Sequence, residues 1–450
     1  MREIYLIDYA VKGIKNIDKL VSLSFYKKTI NKNVDFKRYH LKGIYGANGA
    51  GKTGIIASVR ILKRLLLEQN YLSNTVVQNE LHELINRKTG ELEIHAEFLS
   101  STIDAMYLFN YGVKLVKNDS DQFEIEHESL IRQKVLSHVS LPEACFETNH
   151  GKLLINCGDE YSQKLADMTK NLLSSASVTS IVLNKEELFN PECAKDSDMW
   201  MNVISLALFG QNLFVCTDHG DDHSSYHVNQ FLDSEEIVKP NSFELFLKQL
   251  RTLKGRNTGG LSAESIAVEK KSYSYFEKRV HKLYEFLRIF KDDLKGIDID
   301  KKENVNTYIC SLIMNYGDYS VNAEYESTGI KKLIRLFDYF DKMIHGKIVF
   351  VDELDSNLHD VYLCALLEYL MENASGQLCF TTHNAGPMEV LKKSKKSIDF
   401  LSADHTIYPW VTNGNYSPAN LYKKGMIEGS PFNIFPFEFA KAFYTEEDNK

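Results

Sequence analysis

Four short segments of this chain carry residue types suited to handling phosphate. Gly46-Ala47-Asn48-Gly49-Ala50-Gly51-Lys52-Thr53 fits the spacing G-x-x-x-x-G-K-[ST]. In such a loop backbone N–H groups cradle phosphates, the lysine reaches the terminal ones, and the hydroxyl of Thr53 binds Mg²⁺. Gly46, Gly49 and Gly51 let the backbone turn tightly and approach the phosphates, with Asn48 and Ala50 between them. Val349-Phe350-Val351-Asp352-Glu353 is an apolar run tipped by two carboxylates. Ligands of open α/β sheets sit at the carboxyl ends of the strands, so Asp352 is the Mg²⁺-side carboxylate, acting through water, and Glu353 orients the attacking water. Glu326-Ser327-Thr328-Gly329 sets a hydroxyl and a glycine at the head of a helix rich in Lys331, Lys332 and Arg335, which makes an anion site. Thr381-Thr382-His383-Asn384 places a histidine one strand beyond Glu353, within reach of a γ-phosphate. Each has a bland reading alone: a glycine turn, a capped helix, a solvated strand end, a structural histidine. In this order the four describe one ATP-hydrolysing arrangement.

The elements around them supply the context these motifs need. Residues 4–11 and 21–26 have strand composition, and 39–45 lead straight into the glycine loop. The spacing of Ile55, Ile56, Val59, Leu62, Leu65 and Leu66 predicts a helix over 53–69. Residues 91–98 alternate polar with mostly apolar side chains, and 105–116 and 123–127 flank the turn-like Asn118-Asp119-Ser120-Asp121. These predict an antiparallel meander laid over the nucleotide face. From 160 to 295 the character turns helical, with candidates at 161–173, 199–209, 243–253 and 269–294, and it is read as an inserted domain. Strands at 308–314 and 319–325, a helix at 330–343, the strand 347–351, a helix at 360–372 and a strand at 377–382 then alternate, which implies a parallel sheet covered on both faces. The expected division is 1–159, 160–295 and 296–450.

Composition excludes several classes. The chain has 450 residues, 44% hydrophobic and 25% charged, as an ordinary globular protein does. A net charge of −8 gives no overall pull towards nucleic acid or anionic membrane. Seven scattered cysteines without a C-x-x-C pair argue against a disulfide framework or a zinc knuckle and fit a reducing cytosol. The apolar stretch 200–215 is interrupted by Asn202, Gln211 and Asn212 and is short for a membrane span, so no membrane association and a cytoplasmic location are expected.

The phosphate loop, Ser327–Gly329, the strand ending at Glu353 with Leu354-Asp355-Ser356-Asn357-Leu358-His359 behind it, and His383 together resemble the ABC-type ATPases. They are most similar to the RecF- and SMC-like branch found as AAA-family ATPases in bacterial anti-phage defence operons, such as those of Septu or PARIS. The resemblance covers about residues 1–130 and 300–435, including His127-Glu128-Ser129-Leu130, Leu421-Tyr422-Lys423-Lys424-Gly425 and Gly429-Ser430-Pro431. It implies an α/β P-loop fold of ABC type with an antiparallel β-subdomain, and ATP and Mg²⁺ as cofactors. It also implies that Ser327 and Gly329 contact the γ-phosphate held by a second protomer, that Asp355 belongs to the dimer-interface loop, and that His383 is the switch histidine. Thr328 and Ile330 replace the usual glycine and glutamine of the signature, and Gln78 is a poor match for the glutamine-bearing loop, so slow turnover is implied.

Other clusters carry weaker signals. Asp218-His219-Gly220-Asp221-Asp222-His223 with His227 has metal-ligand residue types but the composition of a solvated loop. Basic residues at Lys248, Arg251, Lys254 and Arg256, at 27–38 and at 392–396 read as solvated faces, the loop 254–260 being the better nucleic-acid candidate. No Toprim-like Glu followed by an Asp-x-Asp strand comes after Glu353, so the chain has no evident effector of its own. The expectation is a sensor or scaffold ATPase that dimerises on ATP and controls a separately encoded nuclease or toxin, with a phage protein or nucleic acid as trigger. A RecF-like repair ATPase binding DNA directly is the alternative; a transporter subunit is disfavoured by the long insertion and the altered signature.

Overall fold

The computed structural model describes residues 3–27, 30, 34–101, 105–136, 140–155, 160–170, 172–189, 197–217, 260–411 and 416–430. Two sheets and a smaller third one organise them. The first is antiparallel and holds β1 (Glu3–Lys12), β2 (Val21–Ser24), β4 (Glu91–Ser101), β5 (Met106–Lys117), β6 (Phe123–Lys134), β7 (Glu143–Asn149) and β8 (Lys152–Ile155), in the order β2-β1-β4-β5-β6-β7-β8. β4 alternates buried and half-buried residues along most of its length, so one face can pack while the other meets water.

The second sheet holds β3 (Leu41–Tyr45), β9 (Leu213–Cys216), β14 (Ile348–Val351), β15 (Gln377–Thr381), β16 (Ile398–Leu401) and β17 (Ile407–Pro409) in the order β17-β16-β3-β15-β14-β9. All its pairings are parallel except that of the edge strand β17. β3, β14 and β15 are buried at every position, as strands covered on both faces must be. One face carries α1 (Lys52–Leu67) and the antiparallel sheet, with α2 (Thr75–Leu84), α3 (Glu160–Thr169), α4 (Val178–Asn184), α5 (Glu186–Phe189) and α6 (Asp198–Asn212) in the same hydrophobic cluster. The opposite face carries α8 (Thr328–Ile344), α9 (Asp360–Asn373), α10 (Met388–Leu391) and α11 (Pro418–Lys423). A third cluster joins α7 (Tyr273–Leu287) and the first half of α8 to a small sheet of β10 (Ile266–Glu269), β11 (Gly296–Glu303), β12 (Thr307–Asn315) and β13 (Ser320–Asn322).

Residues 160–295, read from the sequence as one helical insertion, do not pack as a unit among the described residues. The helices at 160–212 share the core of α1 and the antiparallel sheet, and β9 extends the parallel sheet beside β14. Residues 260–294 belong to the third cluster instead. Four apolar residues, Leu213-Phe214-Val215-Cys216, are too few to separate from the helix before them by periodicity. Gln78, a poor match for the glutamine-bearing loop, is used structurally: its amide donates to the carbonyls of Leu72 at 2.6 Å and Phe123 at 3.0 Å and accepts from the Phe123 N–H at 2.8 Å. It ties α2 to β6. The histidine–aspartate cluster at 218–227 and the basic residues 248–256 lie outside the described residues.

Candidate phosphate-binding and hydrolytic site

The loop 46–51 joins β3 to α1, and its shape follows from what surrounds it. Gly49 and Gly51 have φ of +78° and +107°, a region open to glycine at little cost. A Cβ on Gly51 would meet Ile17 Cγ1 at 2.7 Å, and one on Gly46 would meet the Leu401 carbonyl oxygen at 2.4 Å. The β1–β2 turn therefore lies directly against the loop, and Asn16 Nδ2 donates to the Gly49 carbonyl. From the other side the Ala47 N–H donates to Gly429 O at 3.1 Å, and the backbone of Gly46 acts on the Tyr422 hydroxyl. Asn48 and Ala50 lie within this braced loop, Ala50 buried in the α1 core. Thr53 is half-buried in the first turn of α1.

Lys52 is buried, and its ammonium folds back onto the carbonyls of Gly46 at 2.7 Å and Ala47 at 3.1 Å. Burial holds it down at about 8, against the opposing pull of Asp352, Glu353 and Asp355. His383, just past β15 with its ring partly shielded from water, is also held below the ordinary imidazole value, by that desolvation first and then by Lys52, while Asp355, Glu353 and Asp352 pull the other way. These five side chains, assigned from segments far apart in sequence, act on one another within a single field.

The carboxylates are held by backbone geometry as much as by side chains. The Thr381 hydroxyl donates to Asp352 Oδ1 at 2.5 Å and accepts from the Glu353 N–H at 2.7 Å. Asp352 N–H donates to Cys216 O on β9 at 2.8 Å, so the strand that periodicity does not reveal braces the backbone that carries this carboxylate. Glu353 takes a left-handed φ of +48°, which turns the chain sharply and leaves its carboxylate exposed at the strand tip. Lys332 Nζ, from α8, donates to the Glu353 carbonyl and to Ser356 Oγ. Asp355 Oδ1 is buried without a hydrogen-bond partner, as is the Tyr45 hydroxyl, and the two groups interact electrostatically.

Ser327 caps α8, its hydroxyl accepting from the Ile330 N–H at 3.4 Å. Gly329 abuts the loop behind Glu353: a Cβ there would meet Asn357 O at 2.8 Å. Ser327 and Gly329 therefore sit at the far end of that loop, whereas Lys52, Asp352, Glu353, Asp355 and His383 gather at the phosphate loop. Asn16, Lys332, Thr381 and Tyr422 complete the surroundings. The one sequence hint for Thr381 is a hydroxyl at the end of a buried strand; for Asn16 and Tyr422 there is none, because tertiary folding alone brings them in.

The donor set fits a nucleotide phosphate and a divalent cation: a glycine cradle, an ammonium, a helix N-terminus, a hydroxyl at Thr53 and a carboxylate at Asp352. The orphaned Asp355 oxygen fits a site whose polar groups await further partners. Fold and site thus define a phosphate-loop α/β protein. No family model matches the chain, and no curated protein matches it. Among solved structures, it is similar to an SMC head bound to the C-terminal winged-helix domain of ScpA, with TM-score 0.40 and 15% identity over 91% of this chain and 98% of that one. It is similar also to the recombination mediator RecF with ATPγS, with TM-score 0.39 and 11% identity over 91% of this chain and 99% of that one. Values this low fix neither fold nor activity, which rest on the chain's own geometry. No described helix is long and apolar enough to cross a membrane.

Proposed function

We propose that this chain binds ATP at loop 46–53 and hydrolyses it with Glu353, as an ABC-type ATPase of the SMC- and RecF-like kind. The observation that carries the reading is that the adjacent parallel strands β3, β15 and β14 end side by side, so that Lys52, His383, Asp352, Glu353 and Asp355 act on one another at one site. Lys52 and the loop amides hold the β- and γ-phosphates, and the first turn of α1 adds its positive end. Thr53, and Asp352 through water, would hold Mg²⁺, which would supply positive charge against the charge that develops on the phosphates. Glu353 orients the attacking water and accepts its proton; its carboxylate is exposed at the strand tip, where water reaches it. His383, held below the ordinary imidazole value by partial desolvation and by Lys52, reads the γ-phosphate. Ser327 and Gly329 act on the nucleotide of a second copy, so two chains close around ATP.

The finer reading is a sensor or scaffold ATPase of an anti-phage complex, controlling a separately encoded nuclease or toxin. The net charge of −8 favours it over direct DNA binding. The decisive experiment is enzymatic. Glu353→Gln keeps the shape and hydrogen bonding of the side chain but accepts no proton, so hydrolysis falls by roughly 10²-fold while ATP stays bound. Lys52→Ala loses ATP binding with the fold intact. Wild-type ATP turnover in both variants would remove the hydrolytic reading.

A further inference from the structure

We infer that Lys332 is a positioning residue that couples the Ser327 end of α8 to the catalytic carboxylate of its own chain. The inference rests on the hydrolytic reading of Glu353. It begins with backbone strain: a non-glycine residue at φ +48° persists where its surroundings hold it. Glu353 is held from both sides, its N–H by Thr381 Oγ1 at 2.7 Å and its C=O by the Lys332 ammonium. The second bond is charge-assisted and comes from a side chain only 4% exposed. An apolar residue at 332 would fill the same space without burying a charge, so packing alone does not account for a lysine.

Lys332 lies one turn into the helix that Ser327 caps. In that first turn Thr328 Oγ1 donates to Asn357 Oδ1 at 3.3 Å, and Gly329 is pressed against Asn357 O. Lys332 reaches the other end of the same loop at Glu353 O, and also Ser356 Oγ beside Asn357. The start of α8 and the loop 353–357 are thus fastened at both ends and move together. Farther along, α8 is anchored by Leu336, Phe340 and Met343 in the core and by Arg279 Nη1, which donates to Asp341 at 2.8 Å. An anion engaging Ser327 displaces the start of the helix, and Lys332 delivers that displacement to the Glu353 carbonyl. Hydrolysis in one chain then depends on whether its own signature serine is engaged.

The test uses full-length Lys332→Met, which matches the stem in volume, and Lys332→Arg, which keeps the charge. In nucleotide-free protein, hydrogen exchange of the amides at 354–358 should quicken about tenfold in Lys332→Met and return towards wild type in Lys332→Arg. At saturating ATP, kcat should fall about tenfold in Lys332→Met, with ATP affinity within about twofold, because a displaced carboxylate spoils the attack geometry and leaves binding alone. In a Ser327→Ala background the same change should add little, since the signal it carries is already lost. Unchanged exchange, equal losses in kcat and affinity, or fully multiplicative effects of the two substitutions would each overturn the coupling. If wild-type protein turns over ATP and Lys332→Met matches it, this inference alone fails. If wild-type protein turns over no ATP, the hydrolytic reading fails and takes the inference with it.

Discussion

Lys52, the lysine proposed to meet the phosphates, is held in place at a cost to stability. Its folded value of about 8 lies below the ordinary 10.5 because burial disfavours the ammonium. Between those two values the unfolded chain binds the extra proton, so this group's contribution to stability improves as pH rises through about 8 and is unfavourable at neutral pH. Lys52→Met should therefore raise the melting temperature of the nucleotide-free protein at pH 7 while destroying ATP binding. Bound phosphates favour the charged form, so ATP affinity should be level below about pH 8 and decline above it by up to tenfold per pH unit, as loss of one proton requires. Titrations with Lys52→Arg, which stays charged, should show a level profile across the same range. A wild-type profile equally level to pH 9.5 would mean that this ammonium does not meet the phosphates.

Between elements, one side chain does the work of a strand. Gln377, at the start of β15, accepts from the Leu6 N–H at 2.7 Å and donates to the Leu6 carbonyl at 2.9 Å, both buried. The primary amide imitates a backbone pair and stitches the antiparallel sheet to the parallel one where β1 has an irregular register against β4. Gln377→Ala strands both backbone groups of Leu6 away from water, and denaturant unfolding should report a loss of about 2–4 kcal/mol. A loss under about 0.5 kcal/mol would indicate that the sheets are held by packing alone, as through Phe350 against Tyr9 and Phe25 at 6.2 Å. The buried pair of Lys42 and Asp399, 2.6 Å apart, similarly ties β3 to β16 beneath the phosphate loop.

For the whole molecule, the geometry divides the proposed machinery into two parts. Lys52 and the carboxylates form one end of the site, and Ser327 lies beyond Asn357 at the other end of the same loop. If two copies close around ATP, each should supply what the other lacks. Ser327→Arg should bind ATP as wild type does yet fail to hydrolyse it, and Lys52→Ala should fail at binding. Mixing them permits one intact hybrid site per dimer, and partial turnover should return once subunits exchange. A Ser327→Arg protein with full activity as a monomer would reduce this serine to a helix cap, which its hydroxyl already is in the single chain.

What the sequence determined by itself is whatever short-range chemistry dictates. The glycine loop after a buried strand, the two carboxylates at a strand tip and the helical period of α1 and α8 are each set within a few residues, and all appear where expected. The antiparallel meander was legible because its alternation is local. Tertiary structure alone decided the rest. That residues 213–216 complete the parallel sheet depends on pairing with Ile348–Val351, far along the chain, and no local period encodes that partner. Gln78 turned out to satisfy backbone groups of Leu72 and Phe123, a need that exists only once α2 meets β6. Thr381 and Lys332 became supports of Glu353 because its left-handed turn exposes an N–H and a C=O to buried surroundings, and each must find a partner there. Motif residues are fixed by the chemistry they perform, whereas the groups that hold them are fixed by whichever backbone the fold brings near.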